Sequence, residues 1–143
     1  MKSFLSASRR LIPPPFVVRA GERYPRTQPD ENTHCLGNGR FRATLEWESA
    51  AGGTHPGRAI LPTDDGGAFS FFSPNNPEVL VKVLDACQVP GFGSIWVFAG
   101  SLTNVGVTLT VEDTRSGEMK VYRNAAGGAF APFLDTRAFT ACP

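Results

Sequence analysis

The sequence predicts an all-β fold, an immunoglobulin-like antiparallel β-sandwich of about seven to eight strands with an extended N-terminal arm. Three observations carry this. Apolar and polar residues alternate with period two over several short stretches, the pattern of strands with one buried face. Turn signals recur roughly every 8–12 residues. No long stretch repeats with the 3.6-residue period of a helix. A barrel is the alternative closure. The chain has 143 residues, 41% of them apolar, with 15 Gly, 12 Pro and 11 Phe. That suits one domain plus an extension, built of short strands and many turns.

Residues 1–34 read as the arm. Pro13, Pro14, Pro15, Pro25 and Pro29 fall here, and proline, with a fixed φ and no N–H, excludes a helix or a central strand. It holds one short apolar run, Leu11-Ile12 and then Phe16-Val17-Val18. If extended, Phe16, Val18 and Ala20 share one face and Val17 and Arg19 the other. The arm carries six basic and three acidic residues, while residues 35–143 carry 8 basic and 10 acidic, so arm and body attract each other. The arginines are scattered and the body offers no basic patch, which speaks against nucleic acid as a partner. Ser8-Arg9-Arg10-Leu11-Ile12 is followed by three prolines where a twin-arginine signal needs an apolar stretch. No apolar run approaches the length of a membrane span.

Residues 35–143 read as the sandwich domain. Phe41, Ala43, Leu45 and Trp47 alternate with Arg42, Thr44, Glu46 and Glu48, a half-buried strand. A loop over residues 50–57 leads to a short strand from Arg58 to Leu61. Asp64-Asp65-Gly66-Gly67 is a turn, since Asp and Gly accept positive φ, and Ala68 to Phe72 is a Phe-rich strand. Val79 to Leu84 is apolar on nearly both faces and predicts a central strand. Ser94 to Ala99 is a second central candidate. Val105, Val107, Leu109 and Val111 alternate with Gly106, Thr108, Thr110 and Glu112. Thr114-Arg115-Ser116-Gly117 is a hairpin turn, Glu118 to Arg123 pairs back, and the tail from Phe130 to Pro143 packs along an edge.

Cys35, Cys87 and Cys142 show no Cys-x-x-Cys spacing, and only His34 and His55 are available to help hold zinc, so no metal site is expected. In an oxidising compartment, one disulfide plus one thiol is the natural count. The expected pair is Cys35–Cys87, at two strand ends, stabilising by about 4 kcal/mol in the chain-entropy model. Cys35–Cys142 is its rival, and three reduced thiols the third reading.

Gly39-Arg40-Phe41-Arg42, Gly57-Arg58-Ala59, Asp64 to Phe72, Val81 to Cys87, Trp96 to Gly100 and Thr110 to Thr114 stand in order along the chain. Together they resemble a recurrent, uncharacterised all-β domain of exported bacterial proteins, often placed at the C-terminus of longer chains. The likeness covers about residues 35–143. It implies export and a β-sandwich, and it implies no activity. Members of that family carry a further cysteine upstream of the position matching Cys35, which this chain lacks.

Nothing in the sequence forms a catalytic constellation, and the expectation is a protein that is not an enzyme and takes no cofactor. His34 and His55 stand near no Gly-x-Ser-x-Gly elbow. Asp64-Asp65 lacks the further oxygen ligands of a calcium loop and is explained by its turn. Glu46 and Glu48 on an open sheet read as solvent-facing charges rather than a glycosidase pair. Trp47, Trp96, Tyr24 and Tyr122 are candidates for a sugar-stacking platform, although parity places Trp47 in the core and the apolar run around Trp96 argues the same for it. The leading expectation is a secreted structural protein, extracellular or on the cell surface, that polymerises with itself. The arm, Leu11 to Ala20, would add to a neighbour's sheet edge through main-chain hydrogen bonds. The alternatives are a monomeric adhesion or carbohydrate-binding module acting on surface glycans, or an accessory domain of a larger exported enzyme.

Overall fold

A computed structural model describes residues 29–143. These contain ten strands and no helix: β1 (Thr33–Leu36), β2 (Phe41–Glu48), β3 (Thr54–Pro56), β4 (Arg58–Ile60), β5 (Gly66–Ser70), β6 (Pro77–Ala86), β7 (Ser94–Ser101), β8 (Gly106–Asp113), β9 (Met119–Asn124) and β10 (Phe133–Phe139). They form two antiparallel sheets arranged as a sandwich. The first has the order β1-β2-β8-β9, with β3 also on β2, and the second the order β10-β7-β6-β5-β4. The arm segment from Leu11 to Ala20 lies outside the described residues.

The alternation along β2 sets the register of the first sheet. Ala43 faces Val111, Leu45 faces Leu109 and Trp47 faces Val107, all turned inward. The inner rows of β6 (Val79, Val81, Val83) and β7 (Ile95, Val97, Ala99) meet them, and the two rows form one buried cluster with Phe69 and Phe139. As its two-faced apolar pattern predicts, β6 is central in its sheet.

Ten strands stand where seven to eight were expected, and three elements differ from the sequence reading: β5 takes in Gly66 and Gly67, read as turn, and ends at Ser70 rather than Phe72. Thr33 and His34, read as arm, are buried in β1. Thr54-His55-Pro56, read as loop, forms β3 beside the far half of β2. Thus β1 and β3 lie end to end along one edge of β2, parted near Leu45, whose carbonyl accepts instead from the Gly57 N–H at 2.8 Å.

Both sides of the sandwich are laced shut. At one, the Ala59 N–H donates to the Glu31 carbonyl (2.8 Å), the Gly37 N–H to that of Asp64 (2.9 Å), and His34 crosses between sheets. Its Nε2 lies 2.7 Å from the Ala68 carbonyl and its ring stands edge-on to Phe69 at 5.0 Å. The ring occupies the space over Gly67, where a Cβ would fall 2.3 Å from His34 Cε1, which is why that position is glycine. At the other side, Tyr122 of β9 donates to Asp135 of β10 at 2.7 Å, and its ring packs on Phe133.

The disulfide joins Cys87 to Cys142, not the expected Cys35 to Cys87. Strand order explains the correction. β10 runs antiparallel to β7 with Phe139 opposite Ile95, so the residues after it pass the start of β7, where Cys142 Sγ lies 3.2 Å from the Gly93 carbonyl. β6 ends at the same place, Ala86 opposite Ser94, and delivers Cys87. Cys35 belongs to the other sheet, opposite Arg42. A disulfide of this kind belongs to a non-reducing environment. No helix among the described residues is long and apolar enough to cross a membrane.

Candidate interaction surface

The outer faces of the two sheets differ in chemistry. On the first sheet the outward side chains of β2 and β8 are Arg42, Thr44, Glu46, Glu48, Thr108, Thr110 and Glu112. Such a face is at home in water. On the second, the outward residues of β6 are Leu80, Lys82 and Leu84. Beside them on β7 stand Gly100, Phe98 and Trp96. Leu134 of β10 continues the Phe98 row, and Ile60 of β4 and Ala68 of β5 continue the Leu80 row.

Exposed apolar side chains stand on this face and in the loops at its ends. Leu134 is 68% exposed, Leu61 62%, Leu80 56% and Phe92 46%. Scattered exposed apolar residues are ordinary, but contiguous ones mark interaction sites. Phe92, Trp96 and Phe98 form a chain of rings, Phe92 edge-on to Trp96 at 4.8 Å and Trp96 stacked on Phe98 at 5.5 Å. Among the described residues the buried Trp96 Nε1 has no hydrogen-bond partner. Toward β4 the strip deepens into a groove of about 440 Å³ lined by Leu61, Gly66, Ala68, Leu80, Lys82 and Leu84, with Asp65 at its margin.

A second concavity, of about 620 Å³, lies next to that groove at the end of the sandwich. Asp64, Asp65 and Asp85 line it, with Cys35, Arg40 and Pro143. Asp65 borders both hollows. Asp85 accepts the Cys87 N–H at 2.9 Å.

The same end is closed by a clamp on the C-terminal residues. Arg40 Nε and an Nη donate to the two oxygens of Asp113 at 2.9 and 2.8 Å, both side chains being buried. Arg40 also donates to the Ala141 carbonyl, and Arg115 to those of Ala141 and Cys142 at 3.0 and 2.9 Å. Burial acts to raise the Asp113 carboxyl. The hydrogen bonds from Arg40 and the Arg115 N–H outweigh it and hold the group below its ordinary range.

The other candidates do not converge. Trp47 is in the core, packed against His55, Phe71 and Phe72. Trp96 is on the outer face of the second sheet, Tyr122 is bonded to Asp135, and Tyr24 lies outside the described residues. Glu46 and Glu48 stand opposite Pro56 and Thr54 on the wet face. Among the described residues no group of three or more His, Cys, Asp or Glu is placed to hold a metal ion.

The last feature is where the described chain begins. The Thr33 N–H bonds back to the Asp30 carbonyl, and Asn32 is tied to the Gly57 carbonyl at 3.0 Å. Asp30 and Asn32 line a hollow of about 410 Å³ with Arg42, Thr44, Glu46, Thr108 and Thr110. The described chain therefore begins at the edge where β1 meets β4, with Glu31 bonded to Ala59 of the second sheet and Asp30 and Asn32 beside polar residues of the first.

Comparison of the chain with protein-family models, curated proteins and solved structures returns no match.

Proposed function

We propose that the chain is an exported structural protein, extracellular or on the cell surface, that self-associates head to tail, the N-terminal segment of one copy docking on the body of the next. The observation that carries this reading is the second sheet: its inner face packs in the core, and its outer face carries Leu80, Leu84, Trp96, Phe98 and Leu134, with Leu80 and Leu134 more than half exposed. The Cys87–Cys142 disulfide supports export. Head-to-tail contacts propagate unless the rotation between copies closes a ring.

Sedimentation velocity over a concentration series tests the reading. The full chain is expected to form assemblies that grow with concentration, and a monomer at every concentration overturns it. A second reading, a carbohydrate-binding module, draws on the Phe92–Trp96–Phe98 rings, which offer flat apolar faces. Titration with soluble polysaccharides, followed by tryptophan fluorescence, tests it, and no spectral change removes it.

A further inference from the structure

We propose that β9 is a docking edge for a second copy of the chain. Two β9 strands pair antiparallel about a two-fold axis beside Val121 and join the first sheets of both copies into one. The contact is isologous. It is separate from the head-to-tail contact proposed above and does not rest on it.

The first observation is the edge. β9 ends the first sheet, and among the described residues no strand pairs with its outer side. The other edges are short or broken. β1 has 4 residues, β3 and β4 have 3 each, and the Ala59 N–H of β4 is taken by Glu31. β10 shifts register between Asp135 and Phe139. β9 keeps an unbroken register with β8 from Met119 to Asn124.

The second is which groups face outward. The Asp113 N–H donates to the Glu118 carbonyl at 2.8 Å, and bonded pairs recur at every second residue of an antiparallel ladder. Lys120, Tyr122 and Asn124 therefore bond to β8. Met119, Val121 and Arg123 turn their N–H and C=O groups to the open side. The side chains of these three lie on the outer face, with Met119 57% and Val121 43% exposed. Such an edge is a template for another strand.

The third chooses the occupant. A two-fold axis perpendicular to the sheet leaves each side chain on its own face, so it pairs only residues separated by an even count. With the axis at Val121, Val121 meets Val121 and Met119 meets the stem of Arg123. All three outward-turned residues then form bonded pairs, about six main-chain hydrogen bonds in all. On the inner face, Lys120 comes opposite Tyr122 of the second copy, whose hydroxyl is held by Asp135 at 2.7 Å. Within one copy the Lys120 ammonium has Glu118 at 3.8 Å. The second copy adds the Asp135 carboxylate. An inward-pointing lysine blocks indiscriminate pairing at an edge, and this register answers it with an opposite charge. An axis at Lys120 would set two ammonium groups against each other. An axis at Tyr122 would leave Met119 beyond the partner strand.

The experiment is hydrogen exchange of the full chain, read residue by residue over a concentration series. The Met119, Val121 and Arg123 N–H groups are expected to exchange fast when dilute and to become protected as concentration rises. Those of Lys120, Tyr122 and Asn124 stay protected throughout. Fast exchange of the first three at every concentration overturns the proposal. Protection that ignores concentration shows a segment of the same chain on the edge and overturns it as well. Val121→Pro removes an outward N–H and no bond to β8, and Lys120→Glu sets a carboxylate against Asp135. Melting curves check that both fold. Each is expected to shift the concentration at which Met119 and Arg123 become protected by about tenfold or more. An unchanged midpoint in Lys120→Glu overturns the two-fold register, whether or not Val121→Pro folds.

Discussion

Arg40 and Asp113 stand 73 residues apart in sequence and meet in a buried two-point ion pair that also anchors the residues before the C-terminus. Arg40 precedes β2 and Asp113 ends β8, so the pair closes one end of the first sheet. Thr114 strengthens the closure, its N–H and Oγ1 both donating to the Arg40 carbonyl at 2.8 and 2.6 Å. Removing one partner strands the other charge inside. Arg40→Met is expected to cost about 3–5 kcal/mol in urea unfolding. Arg40→Met combined with Asp113→Leu is expected to recover part of that loss. A single variant within about 0.5 kcal/mol of the parent would refute the role given to the pair.

The same pair sets an acid limit. The Asp113 carboxyl is held below its ordinary value of 3.8 in the folded chain. As pH falls the unfolded chain takes up this proton first. The contribution is therefore complete above that value and lost as pH falls through the lower folded one. Stability measured from about pH 5 down to about pH 2 should fall more steeply in the parent than in the doubly substituted chain.

Tyr122 sets an alkaline limit. Burial, then the hydrogen bond to Asp135 and its negative charge, push the hydroxyl above its ordinary value of 10.0. The folded chain keeps the proton longer than the unfolded chain, so stability is complete below that value and declines as pH rises beyond it. Tyr122→Phe is expected to cost about 1 kcal/mol at neutral pH and to flatten the decline at high pH. Urea unfolding across the alkaline range reads both effects.

Gly67→Ala tests the crossing of His34. The added Cβ would overlap the imidazole, which is held by the Ala68 carbonyl and Phe69, so the ring must leave or β5 must shift. The expected cost is about 1–3 kcal/mol, as for other overpacked cores. Combining it with His34→Ala should restore part of the loss, and strictly additive costs would show that the two residues do not share this space.

Non-reducing peptide mapping is expected to recover Cys87 with Cys142. Cys142→Ser should lower stability by about 4 kcal/mol in the chain-entropy model. Cys35→Ser should leave the Cys87–Cys142 peptide in place. Recovery of Cys35 joined to either of the others contradicts the strand order described.

Much of the sandwich was legible in the sequence. β2 begins and ends where its alternation does, and β6 and β7 announce themselves by β-branched and aromatic density. β1 and β3 were not legible. Each is short, β3 is exposed and contains Pro56, and the inward residue His34 of β1 belongs to a type seldom read as core. The disulfide was misread because pairing depends on which strand lies beside which. β10 passes over β9 to join β7, and local pattern does not encode that. The apolar strip had a signal: Leu80, Leu84, Trp96 and Phe98 sit at the parity a half-buried strand gives to polar residues. That signal shows two apolar faces without saying that one is left open.

The bond between Cys87 and Cys142 also bears on mechanics. It encloses β7 to β10 in a covalent loop with its two ends 55 residues apart in sequence. Tension drawn through the body from Asp30 to Cys142 would pass from Cys87 straight across the sulfurs. Only β1 to β6 lie on that path, so the length the body yields when pulled open drops from about 380 Å to about 190 Å. Half of the sandwich is thus shielded from load, and reducing agents should double the extension recorded in a single-molecule pull.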